Sequence, residues 1–161
     1  MSWLLIIFCL AVAVSPLLWM KNSPRQQQIT KFRNVARELG INTNLYKRPE
    51  ARESETRLQC MYYWLPWCDR KKVQPWILHR FSNRGWQSEF QNWRWVDNKA
   101  TASWSTIIDD TLNNLPSGVT AIIVNSAGVG LIWDERGDLS VVHQICESVI
   151  QLREKGEEIY L

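Results

Sequence analysis

Two histidines, four cysteines, one serine in a glycine-bearing turn and one pair of adjacent aspartates are the residues of this chain whose types could do chemistry. His79 and His143 each fall inside a stretch expected to be regular, with no acid, cysteine or second histidine at ligand spacing, so neither a zinc site nor a triad is expected. Val124-Asn125-Ser126-Ala127-Gly128 approaches the G-x-S-x-G of a nucleophile elbow but has valine where the first glycine is needed, which makes Ser126 a turn residue. Gly128-Val129-Gly130 lacks the third glycine and the following helix of a dinucleotide fingerprint, and no phosphate-binding loop occurs. Asp109 and Asp110 are neighbours on an expected helix and point in different directions, as on a solvated face. Cys60 and Cys68 match neither a CxxC redox pair nor a zinc knuckle, Cys9 lies in an apolar run, and Cys146 falls on an apolar helix face. The expectation is a non-enzymatic protein with no catalytic residues, no cofactor and no metal. Four such cysteines fit a reducing compartment; on the oxidising side, Cys60 and Cys68 would be the pair to form a disulfide.

The composition that stands out is tryptophan, ten in 161 residues. Each indole buries roughly 150 to 250 Å². A domain of this length is not expected to absorb Trp64, Trp67, Trp76, Trp86, Trp93 and Trp95 all in its core, so some should be exposed. Exposed indoles beside Arg84 and Arg94 are what a protein interface uses as anchors, and those residues form the expected partner-binding set. Aromatic rings on a sheet near Arg84, Arg94 and Lys99 also suit stacking of single-stranded nucleic acid, which makes a membrane-tethered single-strand-binding module the alternative.

These side chains need a frame, and its first part is Trp3 to Met20, 18 residues without a charge. At about 1.5 Å per residue they reach roughly 27 Å, close to the ~30 Å of a bilayer core, and only a helix would satisfy their backbone there. Lys21, Arg25, Lys31, Arg33 and Arg37 follow within about 20 residues, a basic block that predicts a membrane-surface neck with the N-terminus outside and the domain in the cytoplasm. Ala11-Val12-Ala13 has the form of a cleavage site, but the residues before the run include no Lys or Arg, so an uncut anchor is expected. Residues 21 to 48 hold seven basic side chains against one acid, and residues 134 to 161 hold three against seven, so the overall +3 conceals a basic end facing the anionic leaflet. The expected layout is an anchor at 1–20, a basic neck and amphipathic helix at 21–40, and one domain at 41–161.

Within that layout Ser23 caps a helix that begins at Pro24 and carries Ile29, Phe32, Val35, Ala36 and Leu39 as one stripe before Gly40. Strands are expected over 41–47, 58–67, 73–81 and 86–96, with 48–57 a solvated loop and the second and third strands forming a hairpin. A helix over 102–115, a hairpin of 119–124 with 129–133, and a helix capped by Asp138 and ended by Gly156 complete the chain. The fold class is α+β: an N-terminal transmembrane helix, then a mainly antiparallel sheet with about three helices packed on it.

The apolar span followed by Ser23-Pro24-Arg25-Gln26, the helix ending Glu38-Leu39-Gly40-Ile41, and then Arg48-Pro49 and Tyr63-Trp64-Leu65-Pro66 resemble the opening of small single-pass inner-membrane proteins of gammaproteobacteria with no assigned activity. Some of these are called YajC-like preprotein translocase subunits. The resemblance covers about the first 70 residues and implies a bacterial inner-membrane protein with a periplasmic N-terminus. The anchor and the Trp-rich section, not the resemblance, give the expected role: an accessory or scaffold protein with the lipid bilayer and a protein as partners and no small-molecule substrate.

Overall fold

The computed structural model describes residues 23–55, 58–69 and 73–160, together with Trp3, Ile6 and Ile7. The expected anchor, Trp3 to Met20, therefore lies outside the described residues apart from those three. Among the described residues no helix is long and apolar enough to cross a membrane. The chain forms two units, residues 1–31 and 32–161.

Helix α1, Pro24–Glu38, begins in the first unit. The Ser23 Oγ accepts the Gln26 N–H at 3.2 Å, which satisfies one of the donors that open a helix. Its second half belongs to the larger unit, where Phe32 and Ala36 are fully buried while Leu39 stays exposed.

The larger unit is α+β. Seven strands, β1 (Asn42–Lys47), β2 (Gln59–Pro66), β3 (Trp76–His79), β4 (Trp86–Gln87), β5 (Arg94–Val96), β6 (Val119–Val124) and β7 (Gly128–Trp133), form one antiparallel sheet in the order β1-β2-β7-β6-β3-β5-β4. The β6–β7 hairpin lies near its centre, and every residue of β7 is buried. The expected hairpin of the second and third strands does not form. β2 pairs with β1 and β7, and β3 pairs with β6 and β5, because the two apolar strands β6 and β7 take the central places between them. The single strand expected over 86–96 is instead the short hairpin β4–β5, whose turn contains Asn92 in a left-handed conformation at φ 65°.

One face carries the main core, built from Tyr63, Leu78, Trp95, Ile122, Leu131 and Trp133 against α1, helix α2 (Ser105–Asn114), its 3-10 lead-in Ala102–Trp104, and helix α3 (Leu139–Ile159). Asp138 caps α3 as expected, its carboxylate accepting the N–H groups of Ser140 and Val141. The indoles fit by standing edge-on to one another. Trp76 meets Trp104 at 5.1 Å between centroids and 71°, and Trp95 at 5.7 Å and 82°. Trp76 and Trp133 bury their indole N–H groups without an acceptor among the described residues. That costs about 1 to 3 kcal/mol each, less than the roughly 4 to 6 kcal/mol gained by burying a ring of this size at ~25 cal/mol/Å².

Gly156 lies inside α3 instead of ending it, since the helix runs on to Ile159. A Cβ there would come within 2.5 Å of the Trp104 ring and 3.0 Å of the Trp67 ring. Gly156→Ala is therefore expected to lower stability by about 1 to 3 kcal/mol, the cost of overpacking rigid rings, despite the ~1 kcal/mol by which alanine favours a helix. Urea unfolding followed by circular dichroism measures it, and an increase in stability would contradict this packing.

The opposite face buries Tyr62, Ala121, Ile123 and Ile132 under Tyr46, Trp64, Ile77 and Phe81. The segment after β1, expected to be a solvated loop, is tied down beside it. Glu50 is buried and pairs with Arg48, whose guanidinium lies 4.5 Å from the centre of the Phe81 ring.

Candidate functional site

The structure divides the expected tryptophan set. Trp67, Trp76, Trp93 and Trp95 are buried, Trp64 is half-buried and stacked on Tyr62, and Trp86 is 62% exposed. As expected from core size, not all six fit inside: Trp86 stays exposed and Trp64 is half-buried, while edge-to-face nesting, with Gly156 making room beside Trp67, accommodates the other four. Trp86 lies on a strand only two residues long at the edge of the sheet, beyond which no further strand pairs among the described residues.

Arg84 and Arg94 have different roles. Arg84 is a clasp: its guanidinium donates to both Glu55 carboxylate oxygens at 2.6 and 3.0 Å and to the Glu50 carbonyl at 3.2 Å. Hydrogen bonding to Arg84 holds the Glu55 carboxyl down to about 2. Arg94 stands opposite Gln87 on β4 and His79 on β3 and pairs with no carboxylate among the described residues. It lines a groove of about 680 Å³ between the β3–β4 and β4–β5 turns, with Arg80, Gln87, Phe90 and Trp93. The Arg80 guanidinium lies 5.2 Å from the centre of the Trp93 ring.

His79 holds these turns together. It is fully buried; its Nδ1 accepts the Phe81 N–H at 3.3 Å and its Nε2–H donates to the Arg84 carbonyl at 2.9 Å. Both ring nitrogens are committed to a neutral tautomer, and Gly85 follows at φ 92°, where a Cβ would strike the Trp95 carbonyl. Burial pushes the imidazole below its ordinary 6.5, against the opposing pull of the Arg84 carbonyl and Glu50. The unfolded chain binds a proton near pH 6.5 that the native state refuses, so this contribution is complete above that pH and is lost as pH falls below it. Urea midpoints at pH 7.5 and 5.5 should show wild type weakening more than a His79→Gln variant over that interval, and equal weakening would contradict the assignment. The Glu55 contribution acts lower, present above about pH 4.5 and lost toward pH 2.

Of the basic neck, Lys21 lies outside the described residues. Arg25, Lys31 and Arg37 are exposed, and Arg37 is bonded to Asn34 at 3.4 Å. Arg33 is committed inward: its Nε and Nη2 donate to the two Glu135 oxygens at 2.8 and 2.7 Å, and the Tyr63 hydroxyl donates to Glu135 at 2.9 Å. Glu135 is 6% exposed and left-handed at φ 56°. Burial and the Glu135 carboxylate push the Tyr63 phenol up, which keeps it a donor. This cluster flanks a second cleft of about 350 Å³. Sequence reasoning missed it, as it missed Arg80, since pairing across 102 residues leaves no local signal.

The remaining chemistry-bearing residues are dispersed. His143 and Ser126 are exposed, Asp110 pairs with Lys155 at 3.1 Å, and Cys146 is buried in the core. Cys60 lies near the start of β2 and Cys68 two residues beyond its end, and at ~3.3 Å per residue the extended strand between them holds them too far apart for a disulfide, so they do not report sidedness. Among the described residues no three His, Cys, Asp or Glu side chains are grouped to hold a metal ion. Compared with protein-family models, with curated proteins and with solved structures, the chain finds no match.

Proposed function

We propose that the chain is a non-enzymatic accessory protein of the bacterial inner membrane, anchored by Trp3 to Met20 with its domain in the cytoplasm. The domain docks a partner protein at the β4 end of its sheet. The observation that carries this reading is Trp86, an indole 62% exposed on an edge strand whose next residue, Gln87, faces the other way and lines a groove of about 680 Å³. An exposed large aromatic at a sheet edge is an interface anchor, and the arginine and amide groups of the groove lie on the other face of the same short strand, within reach of one partner that wraps this edge. Anchoring raises the local concentration of the domain near membrane partners, so even a weak interface is effective.

The single-strand nucleic-acid reading loses its stacking platform. Trp93 and Trp95 are buried, Trp93 has Arg80 over its ring, and Trp86 projects from the face of β4 opposite to Gln87.

Affinity purification of the full chain from detergent-solubilised native membranes, beside a Trp86→Ala variant, tests the proposal. A co-purifying protein lost in the variant supports it. Recovery of the same proteins by both forms would contradict it.

A further inference from the structure

The groove at this end of the sheet has an unbalanced charge. Arg33, Arg48, Arg84 and Arg136 each pair with a carboxylate, whereas Arg80 and Arg94 line the groove with no such partner among the described residues. The lining includes one acid, Glu89, which is already held by Lys99 Nζ at 3.4 Å and the Trp95 indole N–H at 3.4 Å. Two unneutralised guanidiniums in a concavity concentrate positive potential there. The Arg80 guanidinium lies over the Trp93 ring, 5.2 Å from its centre, a contact that restrains the side chain at the groove while its N–H groups can still donate to a planar oxyanion. Arg94 is fixed differently, by its backbone register between β3 and β4. The remaining polar lining, including Asn83, Gln87 and Asn92, supplies amides that hydrogen-bond backbone or side-chain carbonyls.

We propose that this groove receives an acidic peptide segment of the docking partner, its carboxylates engaged by the guanidiniums of Arg80 and Arg94. The inference rests on the docking reading above and adds the chemistry of the partner. Carboxylates are favoured over a nucleic-acid strand because the groove joins two arginines and several amides to aromatic rings of which none is fully exposed: Trp93 is buried, and Phe81 and Phe90 are half-buried. Its volume of about 680 Å³ lies within the ~300 to 1,000 Å³ range of sites that enclose a small ligand, which suits a few acidic side chains.

The test uses the full chain in phosphatidylcholine nanodiscs and the fluorescence anisotropy of a labelled hexaglutamate peptide at 50 and 200 mM salt, with a labelled ten-residue oligothymidylate for comparison. Saturable hexaglutamate binding that weakens with salt is expected, reduced at least tenfold in the Arg80→Ala/Arg94→Ala double variant. In the Arg80→Lys/Arg94→Lys variant the loss should be smaller, because charge is kept and the planar fork is not. Absence of hexaglutamate binding, an unchanged affinity in the alanine double variant, or tenfold tighter binding of the oligonucleotide would each overturn the proposal. Failure here with Trp86-dependent capture intact removes the acidic chemistry alone; loss of the Trp86 dependence removes the docking reading itself.

Discussion

Trp76→Ala is expected to lower stability by about 3 to 5 kcal/mol, the range for emptying a buried indole site, while Trp86→Ala changes it by less than about 0.5 kcal/mol. Trp76 is 1% exposed, with its ring edge-on to both Trp95 and Trp104, so truncation leaves a cavity bordered by flat, rigid rings that cannot collapse into it. Against a total of about 5 to 15 kcal/mol for a domain of this kind, that loss is a large share of the stability and lowers the midpoint of urea unfolding in proportion. Trp86 has no comparable enclosure on its edge strand. The pair of measurements separates packing from display: similar costs at positions 76 and 86 would mean that the domain does not distinguish them as described.

Arg33→Ala is expected to cost about 2 to 3 kcal/mol, below the 3 to 5 kcal/mol of fully buried pairs because the Arg33 side chain is 36% exposed. The loss comes less from the bond itself than from stranding the Glu135 carboxylate, 6% exposed, with the Tyr63 hydroxyl as its remaining donor. Glu135 also occupies a left-handed conformation, and the two-pronged grip of Arg33 helps to hold it there. Removing both charges should therefore cost less than the sum of the single variants. A double-mutant cycle of Arg33→Ala and Glu135→Ala reads the coupling, and strict additivity would show that the two side chains do not act as a unit.

Much of the secondary structure was legible because it rests on local signals. The Ser23-Pro24 start of α1, the Asp138 cap of α3 and the β-branched runs of β6 and β7 were all readable from neighbouring residues. Strand order was not, since adjacency in sequence suggested a β2–β3 hairpin while the sheet inserts β7 and β6 between them. Gly156 read as a helix end, and its actual role, clearance for two indoles from elsewhere in the chain, has no local mark. The candidate site was legible only in part. Trp86 and Arg94 were within the expected set, but six indoles in one section do not reveal which four turn inward. Arg84 and Arg33 read as surface cations because each partner, Glu55 and Glu135, is brought in by the tertiary fold.

At the β4 end of the sheet the larger unit offers two features to other molecules: the exposed Trp86 indole on a two-residue edge strand, and, on the other face of that strand, a groove in which Arg80 and Arg94 pair with no carboxylate among the described residues. His79 and the Arg84 clasp fix the turns that carry both, so the surface is held in shape before anything binds. Such preorganisation lowers the ordering cost of association.

Site-specific photocrosslinking in native membranes tests the docking claim most directly, with a photoreactive phenylalanine analogue at position 86 of the full chain and, as controls, at Leu45 and Leu139, which are 61% and 47% exposed. The account predicts a discrete protein adduct from position 86 and none of that size from the two controls. No adduct from position 86, or the same adduct from all three positions, would contradict it.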